Sequence, residues 1–495
     1  MPAAPLSVRV GRLLAAAALA TGLVSCRSSD VALESPPTSA PAERSTSTST
    51  TTTSAPPAGV AGEPGVGDPY FPELGNGGYD VVSYAIDLEW LADSGTIEAT
   101  TTLELTPDVD LDTFNLDLVG LEVTAVTVAG EPAPIVRTGR ELTVDPAAVV
   151  PAGRPVTVTV AYRGVPQAVS LGSDVFGAGW QTDGRDAYVV SEPAGAATWF
   201  PANDHPTDKA LFTFELTVPA DLVAVANGLL VEERTEPDGR HTSRWQASDP
   251  MATYLASVVV GDLIIERGQA PTGLPLRDAF PPRVADQARA LFSRTGEMVA
   301  TFEQWFGPFP FEVYGHVVVD EVLGYALENQ TLSLFGTDLL GDPGAGERTV
   351  AHELAHQWFG NAVSPSSWRD IWLNEGFATY AEWIWFEEAY GQPIARSAER
   401  AYETADFGVA PGDPWDQELF QPTVYVRGAL ALHALSVAMG DEAFRALLRE
   451  WPARFLDAAA STQDLRALAE ELSGEDLGPV FDAWVYGRSL PPFPG

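Results

Sequence analysis

Two histidines four residues apart, with a glutamate beside the first, set the chemistry open to this chain: His352-Glu353-Leu354-Ala355-His356. On a helix His352 and His356 lie on one face, one turn apart. Two imidazoles so placed hold a zinc ion, and Glu353 is positioned to activate a water on that ion. A catalytic zinc takes a third protein ligand and keeps one position open. Glu375, in Leu373-Asn374-Glu375-Gly376, is the candidate. The intervening Gly360-Asn361-Ala362-Val363-Ser364-Pro365 can end one helix and let a second return. Six histidines occur in the whole chain, and two fall in this pattern. Its flanks are apolar and aromatic (Trp358, Phe359, Ile371, Trp372), which suits a buried helix pair better than a solvated surface.

The surrounding segments must position these groups. The predicted helix pair covers residues 347–360 and 374–390. Before it, a helix is expected over 283–306, and strands over 314–319 and 331–335. After it, helices are expected over 428–439, 442–455 and 462–472. Strands, then a metal-bearing helix pair, then more helices is the order of an α+β zinc peptidase domain of thermolysin-like type, expected over 266–495. Upstream, apolar and polar residues alternate over 79–90, 96–105, 121–128, 156–162 and 211–218, each run bounded by Pro and Gly. An antiparallel β domain of saddle or sandwich shape is expected over 70–265. Its loop Val190-Ser191-Glu192-Pro193, running on to Trp199-Phe200-Pro201, carries an acid and aromatics placed to reach a neighbouring site.

The net charge of −40 argues against nucleic acid as a partner, since phosphates would be repelled. One cysteine, Cys26, excludes an intrachain disulfide. It follows a positive Arg9/Arg12 region and the apolar run Leu13-Leu14-Ala15-Ala16-Ala17-Ala18-Leu19-Ala20. That is an export signal, too short for a typical spanning helix. Leu23-Val24-Ser25-Cys26 resembles a bacterial lipobox, so residues 1–26 are expected to be a signal peptide and Cys26 the lipidated anchor to a membrane. Residues 27–69, rich in Ser, Thr and Pro, show no apolar periodicity and are expected to form a disordered tether. The expected location is the outer surface of a bacterial cell, or secretion without the lipid.

Several motifs together resemble the aminopeptidase N family of zinc gluzincins over nearly all of residues 75–495. They are His352-Glu353-Leu354-Ala355-His356-Gln357-Trp358-Phe359-Gly360-Asn361 and Trp372-Leu373-Asn374-Glu375-Gly376; Tyr325-Ala326-Leu327-Glu328-Asn329, similar to the family's Gly-x-Met-Glu-Asn; Val424-Tyr425-Val426-Arg427-Gly428, similar to its Tyr-x-Lys-Gly; and the Glu192-Pro193 loop. Tyr325, Leu327, Arg427 and Ala197 depart from the family's Gly, Met, Lys and Arg. None of these is a metal ligand or base, so they bear on substrate preference. Larger members carry a further helical domain over the site; its absence from this sequence suggests a more open cleft.

The resemblance implies one Zn2+ per chain on His352, His356 and Glu375. Glu353 would be the general base and Tyr425 the donor to the oxyanion. Glu192 and Glu328 would recognise a free α-ammonium, and the backbone at Ala326 would contact substrate. The implied activity is removal of the N-terminal residue from peptides by metal-activated water. A thermolysin-type endopeptidase, or a peptide-binding lipoprotein without catalysis, would share the scaffold. The sequence leaves the oligomeric state open.

Overall fold

A computed structural model describes residues 59–169, 177–405, 408–415 and 419–494. The alternating segments of the first half build an eight-stranded sheet. Its spatial order is Leu229–Thr235, His241–Ala252, Lys209–Val218, Tyr79–Leu91, Thr96–Pro107, Val156–Gly164, Glu122–Val128 and Glu131–Pro132. Strand Tyr79–Leu91 shows the pattern that predicts it, with Val81, Tyr84, Ile86, Leu88 and Trp90 buried on the core face. The sheet is not wholly antiparallel: Lys209–Val218 runs parallel to Tyr79–Leu91, from Leu211 opposite Ser83 to Thr217 opposite Glu89. Alternation specifies which face of a strand is buried, not which strand lies beside it. Two four-stranded sheets complete this half.

A five-stranded mixed sheet begins at Ile264, in the order Ile264–Gln269, Pro275–Phe280, His316–Val318, Ser333–Phe335 and Ala326–Leu327. The expected helix over 283–306 is two helices, α1 (Ala285–Phe292) and α2 (Thr295–Phe306). Ser293 lies at the break, where its hydroxyl donates to the Ala290 carbonyl and competes with the helical ladder. The helix that carries His352 and His356, α3 (Pro343–His356), starts earlier than expected. Asp342 caps it by accepting from the amides of Gly344 and Ala345, and Pro343 occupies the first turn. Its partner α4 (Trp372–Tyr390) ends at Gly391, in the left-handed region at φ 67°. Then follow α5 (Ile394–Thr404), α6 (Pro422–Met439), α7 (Asp441–Arg454), α8 (Thr462–Ser473) and α9 (Gly478–Trp484). Helices α5 and α9 were not among the sequence expectations, and α6 begins six residues early, so Tyr425 sits in its first turn.

The two halves belong to one compact unit, Pro57–Gly495. Lys209 Nζ donates to the carbonyls of Asn361 (2.7 Å) and Ala362 (2.9 Å), tying the large sheet to the loop after α3. Tyr254 donates from its hydroxyl to the Gly360 carbonyl at 2.9 Å. The tether expectation over 27–69 is corrected at its end. Val60–Ala61 pairs with the strand Leu111–Asp117, and buried Asp68 accepts from the Trp368 amide at 2.9 Å. The export signal and Cys26 lie outside the described residues. Among the described residues no helix is long and apolar enough to cross a membrane.

Candidate active site

Helices α3 and α4 pack side by side and present His352, His356 and Glu375 to one point. The Nε2 atoms of His352 and His356 lie 3.2 Å and 3.5 Å from the same Oε2 of Glu375. Donors at bond lengths of about 2.0–2.1 Å around a tetrahedral zinc stand roughly 3.3 Å apart, so this donor set fits the ion. The other ring nitrogens are already engaged. His352 Nδ1 meets Glu382 at 2.9 Å, and His356 Nδ1 meets the Phe359 carbonyl at 3.1 Å. Such partners orient the rings and leave Nε2 for a metal.

Glu382 was missed in the sequence, although it stands seven residues after Glu375 and therefore two turns along the same face of α4. Its second oxygen meets Arg348 at 3.2 Å. Gln357 and Asn361 were missed as well. Their side-chain amides donate to the backbone carbonyl of Glu328, at 3.0 Å and 2.7 Å, and so fix the segment that carries its carboxylate.

Glu192, Glu328, Glu353 and Tyr425 line a cavity of about 260 Å³ with the three candidate ligands. Oxygen atoms of Glu192, Glu328 and Glu375 lie within 4.8 Å of one another. Glu192 and Glu328 are buried, and one oxygen of each has no hydrogen-bond partner among the described residues. Burial pushes the Glu192 carboxyl well above its ordinary range, and the charges of Glu328, Glu375 and Glu353 add to it. Burial also lifts Glu353, to about 8, against the opposing pull of His352 and His356. Burial disfavours charged His356, but Glu328 and Glu375 outweigh that and raise it to about 9. The cavity is thus an acidic pocket that calls for cations.

The rim is built from two directions. Ala326–Leu327 is the outermost strand of its sheet, where a peptide backbone can add. Ala326 and the departing residue Tyr325 both line the cavity. Across it, the Tyr425 ring stacks against that of His352 at 5.8 Å between centroids. Burial, reinforced by Glu375, holds the Tyr425 hydroxyl far above its ordinary pKa, so it remains a neutral donor. Its helix is located by a backbone contact: a Cβ on Gly376 would meet Gly428 backbone atoms at 2.8 Å and 2.9 Å. Arg427 turns away from the cavity and donates to the carbonyls of Val409 (2.6 Å) and Trp484 (3.2 Å).

The peptidase family M1 domain matches residues 291–484, and the peptidase M1 N-terminal domain matches residues 81–255. Aminopeptidase M1 of Arabidopsis thaliana is 30% identical over 327 residues, 62% of this chain and 37% of that protein. The chain therefore spans little more than a third of the length of that curated relative. The crystal structure of an M1 zinc metallopeptidase from Deinococcus radiodurans is similar over 87% of this chain and 99% of its own, with 33% identity and a TM-score of 0.80. A mutant of that metallopeptidase bound to a Tyr-Ser-Ala substrate is 32% identical, with a TM-score of 0.79 and the same coverage.

Proposed function

Because the chain belongs to peptidase family M1, the aminopeptidase N family, we propose that it is a zinc-dependent aminopeptidase removing N-terminal residues from peptides. The observation that carries this reading is the pair of buried carboxylate oxygens on Glu192 and Glu328 that lack a partner among the described residues. A hydrolytic zinc site alone has no use for them. A free α-ammonium supplies the charge and the hydrogen bonds they lack. One divalent ion and one ammonium bring three positive charges to the four carboxylates (Glu192, Glu328, Glu353, Glu375) that line the site.

His352, His356 and Glu375 would hold one zinc ion per chain, which when bound polarises the scissile carbonyl and acidifies water. The residues of the chain do the rest. Glu192 and Glu328 fix the amino terminus, which places the first peptide bond, and no later one, at the metal ligands. The open edge at Ala326 aligns the substrate backbone. Glu353 takes the proton from the attacking water and returns it to the leaving amine. Tyr425 donates to the oxyanion that develops on the carbonyl.

A panel of aminoacyl chromogenic substrates, run with and without a zinc chelator, tests this. Hydrolysis lost on chelation and regained with zinc is expected. Zinc bound without hydrolysis of any member would overturn the reading in favour of a peptide-binding protein on this scaffold.

Export and anchoring through a lipid on Cys26 are part of the same proposal, supported by the Arg9/Arg12 region, the apolar run and Leu23-Val24-Ser25-Cys26. Labelled fatty acid should enter the wild-type chain and not Cys26→Ser.

A further inference from the structure

A second cavity, of about 510 Å³, adjoins the first and shares Arg348, Glu382 and Tyr425 with it. Its floor is one face of α4. Thr379, Glu382, Trp383 and Phe386 stand four, seven, eight and eleven residues beyond Glu375, the spacing of a single helical stripe. Its far wall is α5, which contributes Arg400.

The charges here are of the opposite sign to those around Glu192 and Glu328. Arg348 is neutralised by Glu382 at 3.2 Å and lies over the Phe386 ring at 5.0 Å. Arg400 is exposed, and among the described residues its guanidinium has no carboxylate partner. Thr379 is buried, and its hydroxyl in the cavity wall has no hydrogen-bond partner among the described residues. The two joined cavities therefore present acids at one end, a stripe of Thr379, Trp383 and Phe386 beside the Arg348–Glu382 pair between, and at the other end Arg400, which has no carboxylate partner among the described residues. That is the complement of a short zwitterionic peptide.

We propose that the second cavity receives the carboxylate end of short peptides, with Arg400 as the group that meets the C-terminal carboxylate. This rests on the aminopeptidase reading and names the substrate class within it. The stripe from Glu375 to Phe386 is roughly 16 Å long at about 1.5 Å per residue, the length of about five extended residues. Peptides of roughly three to six residues match that stripe. An Arg–carboxylate pair open to solvent favours the free acid by about fivefold, and salt weakens it.

The test compares kcat/KM for free-acid peptides of two to ten residues with that for their C-terminal amides, in the wild type and in Arg400→Gln. Taking the ratio within each variant cancels any loss common to both forms. The inference expects an acid preference of about fivefold that peaks between three and six residues, shrinks in high salt and falls to near one in Arg400→Gln. Hydrolysis of acid and amide at equal rates by the wild type overturns the inference and leaves the aminopeptidase reading standing. An acid preference that survives in Arg400→Gln overturns the assignment to Arg400. Failure to hydrolyse even aminoacyl nitroanilides takes down both readings.

Discussion

Gly376→Ala sets two physical effects of opposite sign against each other. Both Gly376 and Gly428 lie inside helices, α4 and α6. Helix propensity alone favours alanine over glycine by about 1 kcal/mol. Packing opposes it. The added methyl would stand 2.8 Å from the Gly428 carbonyl carbon and 2.9 Å from its Cα. Carbon atoms in contact prefer about 3.5–4.0 Å, and the obstacle is backbone that cannot rotate away, so the helices must part by roughly 0.6–1 Å. Overpacking of this kind costs about 1–3 kcal/mol, so a net loss of about 0–2 kcal/mol is expected. The catalytic effect should be larger than the loss of stability. Glu375 adjoins Gly376, and Tyr425 lies one turn before Gly428, so parting the helices moves the candidate metal ligand from the proposed oxyanion donor. A misplacement near 1 Å costs about 10²-fold. Thermal unfolding and kcat on an aminoacyl nitroanilide measure the two effects. Zinc content separates loss of metal from loss of alignment. A Gly376→Ala protein with a raised Tm and unchanged kcat would refute the reasoning.

Glu353→Ala should keep zinc and lose about 10²–10⁴-fold in kcat, whereas His352→Ala should lose zinc and turnover together; metal analysis beside kinetics distinguishes them. Glu382→Ala should leave the fold intact and weaken zinc binding by about 10–100-fold in a chelator titration, because it frees the Nδ1 side of His352. Stability should also carry a signature of Asp204. Burial lifts this carboxyl, Arg140 opposes and Asp117 adds, leaving it at about 7 from an ordinary 3.8. A raised carboxyl contributes stability that is complete below the unfolded value and lost as pH rises through the folded one. Denaturant unfolding should therefore show stability falling between about pH 4 and 7, with a shallower fall in Asp204→Asn.

The convergence of the candidate metal ligands was legible because it is local. His352, Glu353 and His356 lie within two turns of one helix, and Glu375 follows after one reversal of the chain. Glu192 and Glu328 became legible only through the motifs around them, since nothing in their spacing shows that two loops of distant sequence place their oxygens within 4.8 Å of Glu375. The contacts that hold the site are the ones the sequence conceals. Gln357 and Asn361 look like ordinary polar residues after a helix, yet they grip the Glu328 carbonyl. Gly376 and Gly428 look like weak points in two helices, yet they permit the approach that brings Tyr425 to His352. The parallel neighbour of Tyr79–Leu91 comes from more than a hundred residues away, and alternation carries no record of such partners. Helix α5 was passed over because much of its surface is polar and solvated, although it supplies Arg400.

The central claim is that buried Glu192 and Glu328 read a free amino terminus beside a zinc site. The measurement that tests it most directly is hydrolysis of one peptide and its N-acetylated form by the zinc-loaded enzyme, with products identified by mass. Acetylation removes the positive charge and leaves two buried carboxylates without their partner, at a cost of several kcal/mol. The free peptide should lose only its first residue, and the acetylated peptide should be inert at the same enzyme concentration. Cleavage of the acetylated peptide at a comparable rate, or cleavage of both at an internal bond, would contradict the claim and make the site an endopeptidase.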